Sequence, residues 1–299
     1  MSLLPLLERY LCLLLVGRSA IITGASRGLG KAIAAACLAN GCDLTICSSS
    51  ADQLQSARAE LLAAGGSAAR VNAVQADVSD EKAVNRLVAS AIQHFGKVDI
   101  LVNNAGVLGP IGLCEALDWQ DWLRTIEVNL FGPVLLCRAA MPHFKAQRYG
   151  RIVNLSGGGA TDARPRFSAY AASKAALVRF SETLAEEVKE FGITVNAMAP
   201  GALNTNMLEE VLAAGPEQAG EKAFAAALAQ KDIGGADFDL ATNLCVFLAS
   251  ESSASITGKL ISAVWDPWPR LAAYEEKLST SDIYTLRRIT PGDRGLNWE

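Results

Sequence analysis

Thr23-Gly24-Ala25-Ser26-Arg27-Gly28-Leu29-Gly30 joins a short apolar run, Ser19–Thr23, to an alanine-rich helical pattern, Leu29–Ala39. Glycines permit a tight turn, let backbone N–H groups approach a pyrophosphate, and aim a helix N-terminus at its charge. The spacing is GxxxGxG rather than GxGxxG. Its weight therefore comes from its place after the first strand, where doubly wound folds bind nucleotides. Two other motifs overlap it. Gly24–Gly28 also fits GxSxG, the nucleophile elbow of α/β-hydrolases, with Ser26 as nucleophile. That chemistry needs a downstream acid and histidine. The chain has two histidines, His94 at the end of a helical pattern and His143 in Pro142-His143-Phe144. The elbow also normally follows several strands, and here it follows the first. A P-loop fits less well, because Ala32 follows Lys31 where Ser or Thr is needed.

Outward from the turn, short β-like runs alternate with longer helical ones. Strands are expected at Asp43–Cys47, Val71–Ala76, Val98–Val102, Arg151–Leu155, Ile193–Ala197 and Leu260–Val264. Helices are expected at Ala51–Ala64, from Ala83 to Phe95, around Trp119–Met141, at Ser168–Phe191 and at Phe238–Ala249. The nearly continuous apolar run Val98–Val102 reads as a strand buried on both faces, as in a parallel sheet. The alternation predicts an α/β fold: a doubly wound, mostly parallel, Rossmann-like sheet with helices on both faces. No linker or internal repeat divides it. The expected organisation is an apolar N-terminal extension over 1–17, one domain over 18–265, and a tail over 266–299 that wraps the core or a neighbouring subunit. Residues 202–236 look looser, with an apolar helical face at Met207, Leu208, Val211 and Leu212.

Composition narrows the function classes. In 299 residues, 51% are hydrophobic and 19% charged, enough for a full core. The net charge of -4, with no basic stripe, argues against nucleic acid as a partner. Seven cysteines, an odd number with no CxxC pair, argue against a disulfide framework and for a reducing, cytoplasmic setting. A Cys/His metal site has little to work with, and none is expected. The leucine-rich N-terminus is interrupted by Pro5, Glu8 and Arg9, and its longest apolar run spans Tyr10–Val16. A membrane span needs about 20 residues, so a packed or surface-lying helix is expected there.

Further landmarks follow in order: Asp77-Val78, Asn103-Asn104-Ala105-Gly106, Asn129, Tyr170-Ala171-Ala172-Ser173-Lys174, and Pro200-Gly201 with Thr205. With the glycine turn, they resemble the main branch of the short-chain dehydrogenase/reductase family over about residues 18–264. The resemblance implies an NAD(P)-dependent oxidoreductase that moves hydride between a nicotinamide cofactor and a carbonyl or alcohol substrate. It implies that Gly24, Ser26, Arg27, Gly28, Leu29 and Gly30 hold the diphosphate and adenosine side. Asp77 and Val78 would touch adenine, while Asn103, Ala105 and Gly106 would line the ribose. Pro200, Gly201, Leu203 and Thr205 would meet the nicotinamide end. Asn129, Tyr170 and Lys174 match three members of the family's catalytic tetrad, with Tyr170 and Lys174 also contacting the nucleotide. A homodimer or homotetramer through the helices near 119–141 and 168–191 is implied as well.

The residues support these roles independently. Tyr170 and Lys174 are i, i+4 and share a helix face. A free tyrosine ionises near pH 10. An adjacent ammonium favours the phenolate, which suits Tyr170 to exchange a proton with a substrate oxygen. Asn129 would support Lys174 through a water. One member departs from the family. Its serine commonly stands thirteen residues before the tyrosine, and that position is Gly157, beside Ser156 in Asn154-Leu155-Ser156-Gly157-Gly158-Gly159. Adjacent strand residues face opposite ways, so Ser156 enters the catalytic set only if the glycines let it turn in. The amides of Gly157–Gly159, or the hydroxyls of Thr161 or Ser168, are alternatives. The departure raises a rival reading, a dinucleotide-binding scaffold or sensor with weak chemistry.

Cofactor choice turns on the end of the second strand, Cys47-Ser48-Ser49-Ser50. It carries no acid to meet a ribose hydroxyl, and Arg27 lies in the turn. Both favour NADP(H), with Ser48 among its contacts and NAD remaining possible. Trp265, Trp268 and the tail are expected to close the pocket.

Overall fold

The computed structural model describes residues 13–66 and 69–298. Seven strands are all parallel: β1 (Ser19–Thr23), β2 (Asp43–Ser48), β3 (Val71–Gln75), β4 (Ile100–Asn103), β5 (Gly150–Leu155), β6 (Ile193–Ala199) and β7 (Leu260–Ser262). Their order is β3-β2-β1-β4-β5-β6-β7. β1 pairs with β2 on one side and β4 on the other, with Ile22 level with both Ile46 and Val102. The winding reverses there, and a crevice opens beyond the strands' carboxyl ends.

The two faces of β1 seed two cores, as strand alternation requires. Ala20 and Ile22 pack with α1 (Gly28–Ala39), α2 (Ala51–Gly65) and α9 (Phe238–Ala249), whereas Ile21 packs with α3 (Glu81–Phe95), α5 (Gly132–Gln147) and α6 (Ser168–Val188). The remaining helices are α4 (Trp119–Ile126), α7 (Asn206–Ala219), α8 (Glu221–Ile233) and α10 (Glu275–Thr280).

Three sequence expectations are corrected. The stretch Trp119–Met141 is not one helix, because a π turn at Glu127–Phe131 separates α4 from α5. A π turn widens the helix by a residue and is common at functional sites; this one carries Asn129. The looser region 202–236 holds two helices, α7 and α8, with α7 kinked at Gly215 before Pro216. Alanine and glycine blur its periodicity, while Leu208 and Val211 are buried. Trp268 does not close the pocket. It is buried on α9, with its ring 5.6 Å from that of Phe247, while Trp265 is 85% exposed at the cleft mouth.

The tail wraps the core of its own chain. Leu271 and Leu278 join the α1/α9 core, and the Leu260 N–H donates to Tyr284 O at 2.8 Å, covering the β7 edge. Lys259 Nζ donates to the carbonyls of Ser281 and Ile283. Of the N-terminal extension, Leu15 is buried in the same core; the rest of the expected helix, through residue 12, lies outside the described residues. Among the described residues no helix is long and apolar enough to cross a membrane, and no cluster of His, Cys, Asp or Glu is placed to hold a metal ion.

Candidate active site

A cleft of about 1830 Å³ runs from the glycine turn, past Tyr170 and Lys174, to α7 and α8. Its floor is shaped by glycines. Gly24 has φ +64°, and a Cβ there would stand 2.9 Å from Ala105 Cα. A Cβ on Gly30 would meet Gly24 O at 2.3 Å. Gly28, at φ +53°, faces open space whose nearest atom is the Thr205 methyl at 4.0 Å. No side chain caps the N-terminus of α1, and its first turn holds no acid. Its N–H groups and positive dipole end are left for an anion, so the turn fits a dinucleotide diphosphate.

Asn104, which the sequence reading did not assign, anchors this turn: its Nδ2 donates to the carbonyls of Thr23 and Gly24. Its neighbour Asn103 points the other way. It is buried, donates to Asn154 Oδ1 at 2.7 Å, and lies off the cleft wall. Strand alternation thus puts Asn103 in the interior, where the resemblance implied a ribose contact.

Asp77 and Val78 line the cleft. Burial works against ionising Asp77, but hydrogen bonds from Ser79 and Arg124 hold its carboxyl below the ordinary range. Ser48, at the end of β2, lines the cleft with Ser49 and Ser50, and its Oγ accepts from the Ser50 N–H. Ser26, Arg27 and Leu29 border the same end, and Arg27 is exposed. Pro200, Gly201, Leu203 and Thr205 line the cleft too, with the Thr205 methyl beside Gly28.

Tyr170 is 7% exposed and Lys174 4% exposed. Lys174 Nζ donates to Leu155 O at 2.7 Å and lies 5.7 Å from the Tyr170 ring centre. Burial draws the Lys174 ammonium down to about 8. Burial pushes the Tyr170 phenol up, and the charge that pulls it back is the guanidinium of Arg164. The expectation that the Lys174 ammonium brings the tyrosine down is thereby corrected: burial raises it instead, and Arg164 is the charge that opposes the rise. Arg164 comes from the loop between β5 and α6, where no spacing rule points to it.

Asn129 is fully buried on the π turn. Its Oδ1 accepts from Val107 N–H at 2.9 Å, and its Nδ2 donates to Val107 O and Ser173 Oγ. Gly106 lies between this amide and the lysine: a Cβ there would be 3.2 Å from Asn129 Oδ1 and 3.5 Å from Lys174 Nζ.

The departure at Gly157 persists in three dimensions. Gly157 faces the Tyr170 hydroxyl so closely that a Cβ there would stand 2.7 Å from it, and no side-chain hydroxyl is presented from this position. Ser156 lines the cleft, yet its Oγ is buried without a partner and makes no bond to Tyr170. Ser168 Oγ accepts from Trp122 Nε1, and Thr161 Oγ1 donates to Asp162. Neither histidine lines the cleft; His94 ends α3 against Phe95. The elbow at Ser26 therefore has no base beside it.

The short chain dehydrogenase family profile matches residues 18–215. The chain belongs to this family. Its members are oxidoreductases that act on carbonyl and alcohol groups. This short-chain dehydrogenase is 39% identical over 250 residues to 3beta-hydroxysteroid dehydrogenase 1 of Eggerthella lenta, across 82% of this chain and 91% of that one. It is 36% identical over 245 residues to 3-oxoacyl-[acyl-carrier-protein] reductase FabG of Escherichia coli, across 82% and 95%. Among solved structures, levodione reductase superposes with a TM-score of 0.77 at 27% identity, over 86% of this chain and 98% of that one.

Proposed function

We propose that this short-chain dehydrogenase interconverts a carbonyl and an alcohol with preference for NADP(H), and that Tyr170 is its acid and base. The observation that carries the reading is the burial of Tyr170 and Lys174 together in the cleft that opens onto the uncapped N-terminus of α1. When bound, the dinucleotide supplies the hydride donor or acceptor. In reduction the Tyr170 O–H donates its proton to the substrate oxygen, and in oxidation the phenolate takes it back. Lys174, held by Leu155 O, presents its ammonium beside that phenolate and could reach ribose hydroxyls. Asn129 fixes the Val107 segment next to it. The N–H groups of Gly157–Gly159 are the candidate donors for a developing oxyanion, with Ser156 a weaker one.

The cofactor preference rests on Arg27 and on the acid-free end of β2 at Ser48. A bulky, partly apolar substrate suits α7, where Leu208 and Val211 share a cluster with Phe167 and Tyr170. Steroid and 3-oxoacyl substrates of the two relatives named above are of that kind. The unpaired cysteines fit a cytoplasmic setting; burial pushes Cys37, Cys47 and Cys137 up to about 12, which leaves them as inert core. A homodimer or homotetramer is part of the proposal.

Gly157 favours the alternative, a dinucleotide-binding scaffold or sensor with weak chemistry. Nicotinamide fluorescence separates the readings when followed by a carbonyl panel. Tight NADPH binding and turnover that Tyr170→Phe abolishes are expected. Turnover unchanged in Tyr170→Phe overturns the catalytic assignment, and tight binding of NADH alone overturns the cofactor preference.

A further inference from the structure

Among the described residues no carboxylate or carbonyl takes a hydrogen bond from the Arg164 guanidinium; it stands over the faces of Phe167, at 4.1 Å, and Tyr170, at 5.5 Å. The acid on its own loop, Asp162, is exposed and accepts from Thr161. Arg164 nonetheless lines the cleft, half-buried, where removal from water disfavours its charge. A guanidinium stacked on aromatic faces is held in one orientation, with its planar N–H donors turned to the edge. Burying a cation without a counter-charge is costly, so a built cleft with one inside is set to receive an anion. Its Cβ lies beside Gly159, and its guanidinium stands over the Tyr170 ring in the same cleft.

We propose that Arg164 is a specificity-determining anion site, and that the substrate carries a carboxylate within a few bonds of the carbonyl or alcohol on which Tyr170 acts. The substrate class is thus an oxo acid or hydroxy acid. The fork of the guanidinium takes the carboxylate in a bidentate pair. This fixes the reacting oxygen against Tyr170 and supplies positioning that the missing serine would otherwise share. The inference rests on the reductase reading given above, and deepens it.

The test uses the full-length protein saturated with NADPH and a matched pair of probes, benzoylformate and methyl benzoylformate. Binding is read by nicotinamide fluorescence and needs no turnover. The acid is expected to bind about 10- to 100-fold more tightly than the ester, the range of a charge-assisted pair. Arg164→Gln should erase that preference and leave NADPH affinity unchanged. Arg164→Lys should keep part of it, and guards against loss by misfolding. Equal affinity for acid and ester, no binding of the acid, or a preference that survives Arg164→Gln overturns the anion site. Reduction of the ester, which needs no anion site, reports the parent reading separately. Ester turnover without acid preference leaves the reductase standing and the site refuted. Acid preference without turnover of either probe does the reverse.

Discussion

A Cβ built on Gly157 would stand 2.7 Å from the hydroxyl of Tyr170. That distance is shorter than an ordinary contact, so any side chain at 157 presses on the phenol. Gly157→Ala is expected to lower kcat/KM by about tenfold or more, because small displacements of reacting groups are costly. Gly157→Ser brings the same crowding together with a hydroxyl donor, and should retain more activity than the alanine variant. Steady-state kinetics on both decide the point; equal values would mean that a hydroxyl there does nothing.

The second expectation concerns pH. Burial draws Lys174 from 10.5 to about 8 in the folded protein. Between those values the unfolded chain holds a proton that the folded chain has released. Stability contributed by this site therefore rises with pH through that window, and below it the buried ammonium is a constant cost. The melting temperature of cofactor-free wild type, relative to Lys174→Met, should climb from pH 7.5 to pH 9.5. A flat difference would place the lysine's ionisation elsewhere.

Cofactor choice has a local handle. Arg27→Ala should weaken NADPH by about tenfold or more and leave NADH nearly unchanged. Ser48→Asp places a carboxylate at the end of β2, which repels a 2′-phosphate and meets a ribose hydroxyl. It should shift preference toward NADH. Fluorescence titration with both nucleotides reads each variant.

The α7 end is tied down by Arg166, a non-glycine residue at φ +71°. Its Nη1 donates to Glu217 O at 2.7 Å and Gln218 O at 3.2 Å, at the C-terminal end of α7. A cation there also complements the helix dipole. Arg166→Ala should raise amide exchange across residues 206–233 and raise KM about three- to tenfold, with a smaller change in kcat.

Trp268 tests whether the tail is part of the core. Its ring is buried on Phe247, and its Nε1 donates to Ala263 O. Trp268→Ala should cost about 3–5 kcal/mol in chemical denaturation, as aromatic truncations in cores do. A loss under about 1 kcal/mol would mark the tail as an appendage.

The order of strands and helices, the glycine turn and the Tyr170–Lys174 pair were legible because each depends on local rules. Glycine's freedom, helix spacing and the alternation of short apolar runs act over a few residues. The π turn at Asn129 was not legible, since it depends on the Val107 backbone brought across by the fold. Of α7 only the apolar face at Met207, Leu208, Val211 and Leu212 was legible, and α8, whose alanines show little periodicity, was not.

The sequence by itself determined the parallel α/β fold, the glycine turn after β1 and the placing of Tyr170 and Lys174 on one helix face. These follow from patterns that a linear chain displays. Only the tertiary structure decided that Asn104 and not Asn103 braces the turn, that Gly157 faces the Tyr170 hydroxyl, and that Arg164 stands over the Tyr170 ring. It also decided that the tail covers the β7 edge of its own sheet. The physical reason is common to all four. Which side of a strand a residue faces can be guessed from alternation, but what it meets there depends on segments distant in the chain, and burial sets the strength of that meeting.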